Sequence, residues 1–356
     1  MLLDSTPITA RSLQKPYHIK GDDFERAYKD YLSDYRVWLK TGDGQHARDY
    51  LIFPGNISPN VSIDETSLSD GELYTIVTNK DAHGKKGALI AIIKGTKVED
   101  VVAVLNLIHL YLREKVMEVT MDFSDSMHAI VKACFPNARI TLDRFHMQQL
   151  PANAMQEMRV KARREALKAD IEAREQHRLR NKRNIARRKK GKKDARGRKP
   201  NRANEAYTPE RLSNGDTRCE LLARSRYLLM VSQDKWTDSQ KVRGKLLFEL
   251  YPDIKTAYSL VHSLREIFNC KTHTKDSARE SLKRWYNKVT DFDNDAFNTA
   301  SATIYEREDE ILNFFVNRAT NASAESFNSK IKAFRAQLRG VVDVPFFLYR
   351  LSTIYA

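Results

Sequence analysis

The chain is poor in cysteine, with 3 in 356 residues, and Cys134, Cys219 and Cys270 stand far apart. No CxxC pair and no histidine at finger-like spacing accompanies them, which argues against a disulfide framework and against a structural zinc site. Long apolar runs are also missing. No stretch approaches the ~18 uninterrupted apolar residues of a membrane span, and the opening MLLDSTPITARS lacks the basic-then-apolar order of a secretory signal. The composition therefore reads as a cytoplasmic protein with no membrane partner. Apolar residues still make up 41% of the chain, enough for cores in two domains or in one domain with a large insertion.

Acidic residues are scarce in one place only. Between Arg159 and Ala203 there are 20 Lys/Arg against 5 Asp/Glu, an excess equal to the net +15 of the whole chain, so the rest is close to neutral. The densest part, RLRNKRNIARRKKGKKDARGRKPNR at 178–202, has almost no apolar residue, cannot bury a face, and reads as a frayed helix or a disordered loop. A block of this kind is either a solvated loop or a phosphate clamp that binds by releasing condensed counterions. Its density favours the clamp. Arg178, Arg180, Lys182, Arg183, Arg187, Arg188, Lys189, Lys190, Lys192 and Lys193 are the expected contacts to nucleic acid.

Periodicity divides the chain. Residues 1–58 hold a helical stretch, GDDFERAYKDYLSDYRVWLK, with Phe24, Tyr28, Tyr31, Tyr35 and Trp38 as its packing face, and then a break at FPGNISPN. Residues 59–147 alternate strands and helices in the order β-β-β-α-β-α-β. The strands are NVSIDETS, ELYTIVTN, GALIAIIKG, KVMEVTMD and ARITLDRFH; the first helix, TKVEDVVAVLNLIHLYLREK, opens with a Thr96/Glu99 capping box, and the second is capped by Ser124 or Asp125. Residues 148–310 read as helices throughout. Residues 311–356 close the chain with NASAESFNSKIKAFRAQLRG, an amphipathic helix whose stripe is Ala324, Phe327, Ile331, Phe334 and Leu338 and whose stop is Gly340.

Three carboxylates stand where strands and helices meet. Asp122 ends the buried strand KVMEVTMD, the position at which α/β sheets open into a crevice, and Asp64 lies in the first strand. Glu325 centres the polar face of the last helix, roughly 160° to 180° from Phe327 and Phe334 at 100° per residue, with Asn328 flanking it. Packed at the sheet's edge, that helix would bring Glu325 to the same rim. Converging carboxylates repel unless a cation joins them, and oxygen donors point to magnesium or to manganese in its place. Glu65 competes with Asp64, and Asp125 competes with Asp122 but is better explained as a cap.

The blocks SIDETS, VTMDFSDSM with FPNARITLDRFH, and TNASAESFNSKIKAFRAQLRGV resemble those of bacterial insertion-sequence transposases of the DDE type, most closely the ISL-three group. The resemblance implies a ribonuclease H-like α/β fold, a mixed sheet with flanking helices, interrupted by a large all-helical, basic insertion at 148–310. It makes Asp64, Asp122 and Glu325 the catalytic, metal-binding triad, with intervals of 58 and 203 residues between them. Two magnesium ions would serve cleavage and strand transfer at the ends of an insertion sequence. A structure-selective nuclease or resolvase of the same fold, or an inactive DNA-binding remnant, are the alternatives.

Asp143 and His146 resemble the acid-x-x-His element of related transposases, and Asn328 and Asn321 either orient the last helix, touch DNA or, for Asn321, simply cap it. Trp285 is either a base-stacking residue or core, and Trp236 invites the same two readings. Expected partners are double-stranded DNA at element ends and target, further copies of the chain when active, and a separately encoded recognition protein. Full-length relatives carry an N-terminal zinc module and helix-turn-helix, whereas about 58 cysteine-free residues precede the catalytic blocks here. The expected location is the bacterial cytoplasm, at the nucleoid.

Overall fold

The computed structural model describes residues 1–69, 71–190 and 206–356. It divides into two compact units: Met1–Met147 with Thr272–Arg279 and Glu306–Ala356, and Gln148–Lys271 with Glu280–Tyr305. No described helix is long and apolar enough to cross a membrane.

The first unit is built on a six-stranded sheet of β1 (Tyr50–Ile52), β2 (Asn60–Ser69), β3 (Glu72–Asn79), β4 (Leu89–Lys94), β5 (Glu118–Met121) and β6 (Arg139–Leu142), in the spatial order β1-β4-β3-β2-β5-β6. The pairings β1/β4, β4/β3 and β3/β2 are antiparallel, while β2/β5 and β5/β6 are parallel. The parallel half needs crossovers, which helices α1 (Val98–Leu105) and α2 (Asp125–Cys134) supply; the two pack on each other and on β4 and β5 respectively. α2 begins as its sequence requires, with the Ser124 hydroxyl accepting from the Met127 N–H. Helix α3 (Arg144–Lys190) follows β6, and near the end of the chain come α4 (Ala322–Gln337) and α5 (Val344–Tyr355).

Helices α4 and α5 cover the sheet face to which Tyr74, Ile76 and Ile92 point, with Phe327, Ile331, Phe334, Phe347 and Leu351 filling the core between. The apolar stripe of α4 is therefore the expected one. It lies over β2, an interior strand, and not at the sheet's edge. Beyond α4 the backbone turns at Arg339 and Gly340, with φ of 56° and 112°, a conformation that glycine adopts without steric cost.

Residues before the sheet belong to the same unit. Leu3, Ala10, Leu13, Tyr28 and Tyr35 pack with Phe346 and Tyr349 of α5. Arg350, 3% exposed, donates to the carbonyls of Thr6 and Ile8 at 3.0 and 3.3 Å and lies over the rings of Tyr28 and Phe334.

Several local expectations change. The single helix of residues 21–40 is broken into Gly21–Ala27, a wider turn at Tyr28–Leu32 and Tyr35–Trp38, because Ser33 turns extended and its hydroxyl donates to the Tyr28 carbonyl; Tyr31 is 85% exposed, so it leaves the packing face. Lys97, not Thr96, is the N-cap of α1, which has no side-chain cap. That helix stops at Leu105, and the His109 ring starts a separate turn, Leu110–Arg113, by accepting from the Tyr111 N–H. The last expected strand, ARITLDRFH, ends at Leu142: the Asp143 carbonyl accepts the Met147 N–H, so DRFH opens α3.

The second unit is helical among its described residues, with helices at Arg218–Arg224, Asp238–Leu250 and Pro252–Asn269 and most of Lys275–Phe292 and Asp295–Glu306. Trp285 is 2% exposed and donates to the Leu260 carbonyl at 2.9 Å, and Trp236 is buried with its indole N–H on the Leu228 and Val231 carbonyls, so both are core residues.

Replacing Arg350 with Met leaves the Thr6 and Ile8 carbonyls without their donor and should cost about 2–4 kcal/mol. Hydrogen exchange of α5 amides in increasing urea measures this; unchanged protection would show that the arginine contributes nothing.

Candidate active site

The site begins with register. Ser62 of β2 is level with Thr120 of the parallel neighbour β5, where that pairing ends, and Asp64 and Asp122 each follow two residues further along. Neighbouring strands lie about 4.8 Å apart, and these carboxylates are close enough to repel. The Asp64 carboxyl is accordingly pushed up to about 6, first by burial and then by Asp122, while the Glu65 N–H, Asn328 and His146 pull it back. Burial and Asp122 also raise the Glu65 carboxyl.

Each aspartate is held by a side-chain donor from another element, and Asp64 also by a backbone donor of its own strand. Asn328 Nδ2 of α4 donates to Asp64 Oδ2 at 2.6 Å, and the Glu65 backbone N–H donates to Asp64 Oδ1 at 2.7 Å. Asn321 stands at the N-cap of α4, yet its side chain caps nothing; its Nδ2 donates to Asp122 Oδ1 at 3.0 Å. From the first turn of α3, His146 Nδ1 lies 3.1 Å from Asp122 Oδ1 and 3.2 Å from Asp143 Oδ2, Asp143 being 4% exposed. Hydrogen bonds to Asp122 and then to Asp143 raise the imidazole to about 10, so at neutral pH it is an imidazolium set between two carboxylates.

Asp64 with Asn328, and Asp122 with Asn321, His146 and Asp143, thus form two hydrogen-bonded groups that feel each other's charge. Glu325 takes no part in either and is exposed. On α4, however, Asn321, Glu325 and Asn328 follow at intervals of four and three, so at 100° per residue all three fall within roughly 60° of helix surface. Asp125, the rival of Asp122, is tied to Arg307 instead.

The donor set suits a hard divalent cation. Oxygen predominates, and Asn328 Oδ1, buried beside Asp64, has no hydrogen-bond partner. A second grouping shares Asp122: ligand atoms of Asp122, Asp143 and His146 all lie within 4.8 Å of one another. Binding there would require His146 to give up its proton, since a metal-bound histidine is neutral.

Of the expected DNA contacts, Arg178, Arg180, Lys182 and Arg183 are exposed on α3, Arg178 pairing with Glu175. Lys192 and Lys193 lie outside the described residues, as do the side chains of Arg187, Arg188, Lys189 and Lys190. What sequence reasoning missed is the service of Asn321 to Asp122; only its spacing from Asn328, seven residues on one helix face, signals it.

A mixed sheet of this order, with flanking helices and a helical insertion in the chain between its sixth strand and its last helices, is a ribonuclease H-like α/β fold. The model of the DDE transposase family of the ISL-three group, described as transposase, matches residues 61–351, and the chain belongs to that family. Membership makes it a transposase, an enzyme acting on DNA, in a family that uses divalent metal. A search of curated proteins gives no match.

The raised groups set a pH dependence for the metal-free protein. Asp64 moves from 3.8 to about 6, so its contribution to stability is complete below pH 3.8 and is lost as pH rises through 6. His146 moves from 6.5 to about 10, so its contribution is complete below pH 6.5 and is lost as pH rises through 10. The melting temperature in chelator should fall across both windows, and Asp64→Asn should remove the lower step alone. A variant that keeps the full lower step would refute the assignment.

Proposed function

We propose that the chain catalyses magnesium-dependent cleavage and strand transfer of DNA at the ends of an insertion sequence, with Asp64, Asp122 and Glu325 as the metal-binding triad. The observation that carries this reading is the single helix α4, which places one amide on each aspartate and has Glu325 on the same face. When bound, a pair of divalent ions would activate the attacking water or 3′-hydroxyl and stabilise the leaving oxygen of an in-line phosphoryl displacement.

The residues themselves do the rest. Asp64, Asp122 and Glu325 supply the carboxylates, and the buried Asn328 Oδ1 beside Asp64 lacks a hydrogen-bond partner. Asn321 and Asn328 fix the rotamers of the two aspartates, so little reorganisation is needed when the phosphate arrives. His146 holds positive charge against Asp122 and Asp143. No protein nucleophile is required. The basic face of α3 holds duplex backbone without reading sequence. End recognition is assigned in this reading to a separately encoded protein, and active assemblies to more than one copy of the chain.

Asp64→Asn, Asp122→Asn and Glu325→Gln keep shape but each remove a charge, and each should lower cleavage of element-end DNA by at least about a hundredfold while leaving duplex affinity unchanged. Pre-cleaved ends offered with a plasmid target separate a transposase from a nuclease, since only the former joins them. A Glu325→Gln protein that cleaves at the wild-type rate overturns the triad. Separately, converting Arg178, Arg180, Lys182 and Arg183 to Ala should weaken duplex binding and flatten its salt dependence, by about one unit of log–log slope per lost phosphate contact. An unchanged slope, measured by fluorescence anisotropy, removes this face of α3 from the DNA interface.

A further inference from the structure

Strand β5 is buried along its whole length, yet it alternates polar and apolar residues: Glu118, Val119, Thr120, Met121, then Asp122. A period of two sends Glu118, Thr120 and Asp122 to one face. All three meet the short connection that enters α4. Asn317 Nδ2 donates to Glu118 Oε2 at 2.8 Å, Thr120 Oγ1 donates to Asn321 Oδ1 at 3.4 Å, and Asn321 Nδ2 donates to Asp122 Oδ1 at 3.0 Å.

Glu118 is the unexpected member. It is 2% exposed, and a carboxylate is costly to bury unless its oxygens are well hydrogen-bonded. Here they are, with Oε1 accepting from Thr141 at 2.9 Å and from Arg139 at 3.2 Å while Oε2 takes Asn317. The proposed chemistry does not use this acid. Asn317 cannot turn its amide freely either, because its Oδ1 accepts the Ala319 N–H at 3.1 Å. Between the two, Arg318 sits in the left-handed region at φ 59°, a conformation that a non-glycine residue keeps only where its surroundings fix it. One further anchor lies upstream, where Asn313 Nδ2 donates to the Ile140 carbonyl of β6 at 2.7 Å.

We propose that Glu118, acting through Asn317, is a positioning residue that sets the register of α4 against β5, and with it the placement of Asn321, Glu325 and Asn328 relative to the two aspartates. A slip of one residue in the connection would move Asn321 away from Asp122 and rotate Glu325 off the shared face. The inference deepens the reading above and rests on it for its catalytic consequence; its geometric content, that Glu118 fixes the start of α4, stands apart from catalysis.

The test is an exchange of donor and acceptor. In Glu118→Gln the new amide N–H faces the Asn317 N–H, and the hydrogen bond is lost. Adding Asn317→Asp restores an acceptor at that point, still able to take the Ala319 N–H, and returns the charge. The single variant should lower kcat for end cleavage at least about tenfold with KM for DNA unchanged within about twofold, as misplacement of reacting groups does. It should also weaken Mn2+ binding read by electron paramagnetic resonance, and speed hydrogen exchange at residues 318–325 while β3 stays protected. The double variant should recover all three.

The proposal is overturned if the folded single variant keeps kcat and Mn2+ affinity, or if the double variant regains its melting temperature without regaining them. Should Glu118→Gln not fold, Asn317→Ala, which leaves Glu118 with Arg139 and Thr141, takes its place in the same measurements. If the unmodified chain proves unable to cleave ends, the catalytic reading fails, while Mn2+ binding and hydrogen exchange still decide whether Glu118 positions α4.

Discussion

Two aspartates near each other, one midway along β2 and one just past the end of its parallel neighbour β5, are an electrostatic problem before they are a site. Asp64 is held partly out of water and repelled by Asp122, so its proton is hard to remove. Most of the polar architecture nearby answers that repulsion. Asn328 and the Glu65 N–H serve one carboxylate, Asn321 and His146 the other, and Asp143 holds His146 charged. Each compensating group is neutral or a single proton, and none fully replaces a divalent cation. The arrangement still leaves carboxylate charge, and the buried Asn328 Oδ1 is left without a hydrogen-bond partner.

The compensation arrives from far along the chain, which explains the rest of the first unit. The amides on α4 reach the strands only if that helix is pressed onto β2, and this is the work of its apolar stripe together with α5. α5 in turn is clasped by the first 35 residues, through Tyr28, Tyr35 and the buried Arg350. Beginning and end of the sequence thus form one structural layer over the sheet, with the helical unit inserted between.

Much of this was legible. The strands at Asn60–Ser69, Glu72–Asn79 and Leu89–Lys94 follow from apolar and β-branched runs, and the stripe of α4 follows from a period that no strand could share. The blocks around Asp64, Asp122 and Glu325 identified the family. Three things escaped. β1 is three residues long and owes its existence to pairing with β4, not to any local signal. α5 is apolar almost all round, so it shows no contrasting face. The polar track of β5 has an alternation that is plain in EVTMD, but a buried strand with both faces covered gives no reason to expect acids on one of them. Its meaning appears only when the partner segment, some two hundred residues away in sequence, lies beside it.

The order in which the chain emerges during synthesis gives that long interval a further meaning. Both aspartates, the whole sheet and the first turn of α3 are complete well before Asn321 and Asn328 leave the ribosome, and α5, which presses α4 into place, is the last element of the chain. A nascent or prematurely terminated product therefore carries the basic helix α3 without the two amides that order Asp64 and Asp122. Such fragments keep the exposed basic residues of α3 but not the assembled cluster, which needs the last segment of the first unit to arrive.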